Sequence, residues 1–378
     1  MQEPTDRPEM VHMTSISRES DEIARTLQES LQASNGTAGS IAAPVVRSFA
    51  FSMVAISILF LVNAYLSFWQ GWPGVPTLFG HLGWFGVEAP SKPLAGDAVT
   101  LGWVQLGLYV GALTAVIVFV LRTPHRRLQE DSEILFALTG YIIRWAFFSV
   151  LLIGVADMVV SFLRVEGTLQ YVLGTDIAKN MGRPSYRGEF VHYPMMVVSL
   201  VIAKYTRTLG FTWLALLIVA AEVQIVIARF VFSYEQAFMG DLVRFWYGAL
   251  FLFASPYTLI KEGHVRVDIL YASFSQRGKA WTNVLGCLFL GLPLCWTILT
   301  RGMWGRSNVI TGPLLSYEVT QSGYGLYVKY LLAGFLMIFA FCMLIQFMGY
   351  LLRNAAVLLR EPGNTSEPRP NTAGSVVG

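Results

Sequence analysis

Four polar side chains stand inside long apolar runs of this 378-residue chain: Arg144 and Asp157 in one run, Glu222 and Gln224 (within AAEVQIV) in another. In hydrocarbon each is costly, and each ordinarily has a partner or a task. Two roles fit Glu222: a station on an ion path, or a polar contact with another helix or another subunit. A self-sufficient carrier is expected to hold more such residues, together with Gly- or Pro-interrupted helices. The five histidines, His12, His81, His125, His192 and His264, all fall outside the deep parts of convincing spans. Paired axial haem ligands are therefore not expected. His264 and Asp268, four apart, share a helix face, but two ligands fall short of a metal site, and a hydrogen-bonded or interfacial pair is the expected reading. Cys287, Cys295 and Cys342 all lie in apolar stretches and suit small buried hydrophobes better than disulfides or zinc ligands. No Walker loop, nucleophile elbow or zincin spacing occurs. The expectation is a chain that is not an enzyme and carries no metal or cofactor of its own.

The elements that hold these residues are membrane spans. The chain is 54% hydrophobic and 13% charged, with a mean hydropathy of +0.53. Soluble domains carry about 25% charged residues. The expected fold is an all-α polytopic membrane protein. Apolar segments of spanning length begin near Val45, Thr100, Ile134, Leu209, Asp241, Trp281 and Gly325, each long enough to cross a core of roughly 30 Å. Phe190–Ala203 is a short eighth candidate, with Tyr193 and Tyr205 placed to sit at the two interfaces and Lys204 to snorkel.

Charge chooses between seven spans and eight. The loop RTPHRR, Arg122–Arg127, is basic and is expected on the cytoplasmic side. The loop from Gln70 to Ala98 holds one lysine, Lys92, and faces out, with Trp69, Trp72 and Trp84 suited to an interfacial belt. Lys261–Asp268 (KEGHVRVD) with Arg277 and Lys279, and the stretch with Arg353 and Arg360, also read as inside. Both halves agree only if Phe190–Ala203 crosses, which gives about eight transmembrane helices with both termini cytoplasmic. Seven would reverse one half.

The expected division is a polar cytoplasmic tail, 1–44; a membrane extension of three or four spans, 45–208; a compact four-helix unit, 209–360; and a disordered Pro/Asn/Gly-rich tail, 361–378. Within the first tail, Ile23, Leu27 and Leu31 have the spacing of a short surface helix, although a disordered tail is the simpler expectation. Asp241 and Arg244 share one helix face. Gly107 and Gly111 permit close helix packing. Arg229, Arg301 and Lys329 lie near span ends, where snorkelling accounts for them.

Three stretches of the back unit carry a resemblance: ARFVF (Ala228–Phe232); the run Met239–Tyr271, which includes EGHVRVD; and SGYGLYVKYLLAGFLMIF, where Lys329 follows a Gly-rich outer loop. Together they resemble the small membrane subunit of tripartite ATP-independent periplasmic (TRAP) transporters. EGHVRVD is similar to that family's Gly-His-hydrophobic-Arg-Val-Asp signature, and Asp241 stands where members often have glutamate. The extension 1–208 is similar to that of enlarged small subunits.

The resemblance implies a non-catalytic scaffold subunit in a bacterial inner (cytoplasmic) membrane. Its partners would be a large TRAP membrane subunit, which holds the sodium- or proton-coupled transport sites, and a periplasmic solute-binding protein that delivers a small organic solute. The residues expected at subunit interfaces or in structural roles are Glu222, Arg229, Asp241, Arg244, Gly263, His264, Arg266, Asp268 and Lys329. KEGHVRVDILY is expected to form an interfacial brace. The alternative is a self-sufficient carrier or channel with Glu222, Arg144 and Asp157 on its path.

Overall fold

A computed structural model describes residues 41–207, 211–234, 237–260, 269–320 and 325–361. Four sequence expectations lie outside the described residues: the Ile23/Leu27/Leu31 stripe, the KEGHVRVD loop, the Gly-rich segment before Tyr324, and the terminal tail beyond Glu361. Among the described residues the chain is helical and has no strand.

Six helices are long and apolar enough to cross a membrane. They are α1 (Ile41–Phe68), α3 (Gly96–Arg122), α4 (Leu128–Val165), α9 (Phe211–Val231), the continuous run Gln276–Met303, and α15 (Lys329–Leu358). The chain is thus a multi-pass membrane protein. A short helix, α2 (Val75–Leu82), follows Gly74 and stops at Gly83, whose φ of 67° is the left-handed conformation glycine adopts freely.

Two further helical runs differ from these six in makeup. The first, α10 (Ala237–Ile260), has 24 residues but carries Asp241, Arg244 and Pro256. Around that proline Ser255 donates to the Phe251 carbonyl at 3.1 Å and Thr258 to the Ser255 carbonyl at 2.9 Å. The second is built in three contiguous pieces: α7 (Pro184–Arg187), a π-helical turn (Gly188–His192) and α8 (Tyr193–Tyr205). Together they run without a break for roughly 33 Å at 1.5 Å per residue. Two short helices, α5 (Leu169–Leu173) and α6 (Thr175–Met181), connect α4 to this run.

Both π-turns have the same cause. Pro194 follows the first and Pro293 the second, at the starts of α8 and α13 (Leu292–Met303). A proline cannot donate to the carbonyl four residues back, so the ladder widens locally and the helix continues. The second π-turn, Cys287–Gly291, joins α12 (Gln276–Gly286) to α13. Ser275 caps α12 by accepting from the Gly278 N–H at 3.2 Å. The remaining described helices are short: α11 (Ile269–Ala272) and α14 (Thr311–Ser316).

Two helices organise the packing. One apolar core joins α4 residues Ile143–Ile153 to Leu214 and Ala221 of α9, Leu242, Trp246 and Phe253 of α10, and Leu331 and Phe335 of α15. The other joins Ala50 and Val54 of α1, Leu128 and Leu135 of α4, Cys287 through Met303, and Leu344 through Ala356 of α15. Both α4 and α15 run through both cores, so residues on either side of 208 share them. Close approach between the pair is made possible by Gly349, where an added Cβ would lie 2.6 Å from Cε1 of Phe136.

Candidate functional site

The densest polar site lies where the last two turns of α4 meet the start of α15. Asp157 is fully buried, and three groups converge on its carboxylate. Arg187 Nη1 lies 2.8 Å from Oδ1 and also donates to Ser161 Oγ at 3.1 Å. His192 Nε2 is 3.3 Å from the same Oδ1. The Tyr327 backbone N–H donates to Oδ2 at 2.8 Å. The other ring nitrogen of His192, Nδ1, is 2.8 Å from the Tyr330 hydroxyl. Arg187 donates twice more, to the Met181 carbonyl at 3.2 and 3.0 Å, and its guanidinium lies 4.1 Å over the Tyr327 ring. Arg164 also packs over that ring and hydrogen-bonds its hydroxyl.

Every strong donor and acceptor in this cluster is paired, as a buried charge requires. The carboxylate has no free face toward a solute, and Asp157, Arg187, His192 and Ser161 are all 0% exposed. The arrangement holds helices together. It joins α4, the α7 and π-turn run, and the segment leading into α15.

A second charged cluster occupies the opposite end of the helix bundle. Arg47 of α1 is buried and contacts Asp131 Oδ2 at 2.6 Å, the Thr123 carbonyl at 2.6 Å and Thr123 Oγ1 at 2.8 Å. Arg126 lies 2.8 Å from Asp131 Oδ1, and Glu361, just past α15, accepts from the Leu128 N–H at 3.0 Å. The basic loop read from the sequence is thus pinned to the beginnings of α1 and α4 and to the end of α15.

The residues singled out from the sequence are scattered. Asp241, the fifth residue of α10, accepts from Thr320 Oγ1 at 3.1 Å and the Leu326 N–H at 3.3 Å, and pairs with exposed Arg244 at 3.5 Å. Lys329, the first residue of α15, pairs with Glu318 at 2.6 Å and does not simply snorkel. Glu222 and Arg229 sit exposed on α9, and neither makes an ion pair or hydrogen bond among the described residues. Arg144 donates to the Ala203 carbonyl at 3.4 Å, which ties α4 to α8. Gly263, His264, Arg266 and Asp268 lie outside the described residues.

Arg187, His192, Tyr327 and Tyr330 were missed as site residues. His192 in particular is completely buried and is not a surface loop residue. The available signal was the cost of an unpaired Asp157, which demands a cation from elsewhere in the chain. Among the described residues no group of three or more His, Cys, Asp or Glu side chains is placed to hold a metal ion.

Residues 214–357 match the family described as tripartite ATP-independent periplasmic transporters, DctQ component. The C-terminal region carries a DctQ-family domain. This domain begins within α9 and ends within the last turn of α15, and it covers less than half of the chain. DctQ components are non-catalytic parts of membrane transporters. No curated protein and no solved structure matches the chain.

Proposed function

We propose that this chain is a small permease subunit, in enlarged form, of a TRAP-type secondary transporter of a bacterial inner membrane. It scaffolds a large transport subunit for the uptake of a small organic solute. A periplasmic binding protein delivers that solute, and a sodium or proton gradient drives its entry through the large subunit. The observation that carries the reading is the DctQ domain over residues 214–357. The chemistry of the polar residues agrees with it: Asp157 is locked by Arg187 and His192, and Arg144 is spent on a backbone carbonyl. A carrier needs charges that face a cavity and exchange partners.

Eight spans with both termini cytoplasmic form part of the proposal. What supports this count is the pairing of helix ends. The beginnings of α1 and α4 and the ends of α3 and α15 meet at Arg47, Asp131 and Glu361. The end of α4 meets the beginning of α15 at Asp157, and the end of α9 through the hydrogen bond of Tyr234 to Glu166. An odd number of crossings between the end of α4 and the start of α9 is needed for this pattern, and Pro184–Tyr205 supplies it. We further propose the boundaries 45–208 for the extension and 209–360 for the four-helix unit. Asp241, Arg244 and Lys329 brace the ends of that unit, and Gly263, His264, Arg266 and Asp268 form its cytoplasmic brace.

Uptake by reconstituted vesicles tests the division of labour. Vesicles holding this chain alone, supplied with an ion gradient and the binding protein, accumulate no solute; adding the large subunit restores accumulation. Uptake by the chain alone, abolished in the Glu222→Gln or Asp157→Asn variant, would establish the carrier alternative.

A further inference from the structure

Among the described residues, Glu222 is an acidic side chain at mid-span without a partner. It is the twelfth residue of the 21-residue α9, roughly 15 Å from either helix end at 1.5 Å per residue. Its carboxylate is exposed and has neither ion pair nor hydrogen bond among the described residues. A short side chain cannot reach the interface from that depth, and a carboxylate facing lipid at mid-span is costly. By contrast, every other acidic side chain named above in a spanning helix has a partner.

One side of α9 packs on the core and the other is uncovered. Only Leu214 and Ala221 are buried, both on the face turned toward α10 and α4. Val219, Val223, Val226 and Phe230 line the free side beside Glu222, the last at 78% exposure. On the other flank, about 200° round the helix from Glu222 at 100° per residue, Gln224 opens onto a depression of about 500 Å³ among Ala220, Ile227 and Ala228. Val223, Phe232 and Tyr234 complete its lining, so an apolar depression with an amide in it lies open on this side of the helix.

We propose that the free face of α9 is a protein–protein interface within the membrane, whose occupant is a transmembrane helix of a different polypeptide. That helix presents a cationic side chain to Glu222. Charge complementarity selects this occupant. A second copy of the chain packed about a two-fold axis through this face would bring the opposite flank, with the amide of Gln224 and no cation, toward Glu222, and lipid tails offer no donor. The inference rests on the small-subunit reading and adds to it the surface and the chemistry by which the larger subunit is held.

A photoreactive residue placed at Val223 or Val226 in the full-length chain, with Val118 on α3 as a lipid-facing control, tests it in native membranes. The α9 positions are expected to yield an adduct with a transmembrane peptide of another protein bearing Lys, Arg or His at the contact. The control yields none. Glu222→Lys abolishes the adduct, and exchanging the opposed cation for Glu restores it. Glu222→Leu, which inserts more readily than the native chain, also loses it, so a misfolded Lys variant does not blur the outcome. Adducts with lipid only, adducts with a second copy, or an adduct undiminished in Glu222→Leu would overturn the interface. If the α9 adduct is absent while a large membrane protein still copurifies, the interface is wrong and the small-subunit reading stands; if both are absent, both fail.

Discussion

Asp157 gives the sharpest test of how single residues act. Removing one member of a buried ion pair leaves the other uncompensated, at a cost of about 3–5 kcal/mol. Arg187→Ala is therefore expected to lower the thermal unfolding midpoint in detergent strongly. The double variant Asp157→Asn, Arg187→Met is expected to recover much of that loss. A single variant as stable as the native chain would show that the pair is not holding α4 against the α7 and π-turn run. The sequence showed Asp157 as an intramembrane charge in need of a partner but could not name that partner. Arg187 lies 30 positions away in the chain, before the apolar stretch Phe190–Ala203. His192 fell in a segment whose polar first turns hid its depth. Periodicity records a residue's own helix, and burial between helices depends on how several of them meet.

At the scale of elements, six long apolar helices were legible from length and composition alone. Pro184–Tyr205 was harder to read because Arg187, Glu189 and His192 interrupt its first turns. The apolar portion looked too short, and only the continuity of the π-turn into α8 gives the run its length. The central pairing of α4 with α15 left no signal beyond small residues. It yields a prediction of its own. Gly349→Leu forces bulk against the Phe136 ring, where even a Cβ would lie 2.6 Å away. The expected loss is about 1–3 kcal/mol or more of stability, seen as a lowered midpoint. Gly107→Leu on α3, with nothing within 4 Å of its Cβ position, is expected to leave stability unchanged. Equal effects at both positions would contradict the packing described for α15.

For the whole molecule, the charge pattern and the pairing of helix ends point to one topology. Single cysteines introduced at His125 and Arg360 are expected to be shielded from a membrane-impermeant thiol reagent in intact cells. Cysteines at Tyr171 and Val309 are expected to be labelled, both side chains being largely exposed at the opposite end. Labelling of all four, or of the first pair alone, would contradict eight spans with cytoplasmic termini. The DctQ domain was legible in the sequence through its motifs because they recur in a fixed order. What the preceding extension adds was not, since its contribution is made by contacts such as Arg187 with Asp157 and Arg47 with Asp131. The central claim is that the chain works as one subunit of a larger transporter. Copurification from native membranes tests it most directly. The tagged chain, extracted in mild detergent, is expected to bring down one much larger polytopic membrane protein in equimolar amount. Recovery of the chain alone, in a state that still takes up solute after reconstitution, would contradict the account.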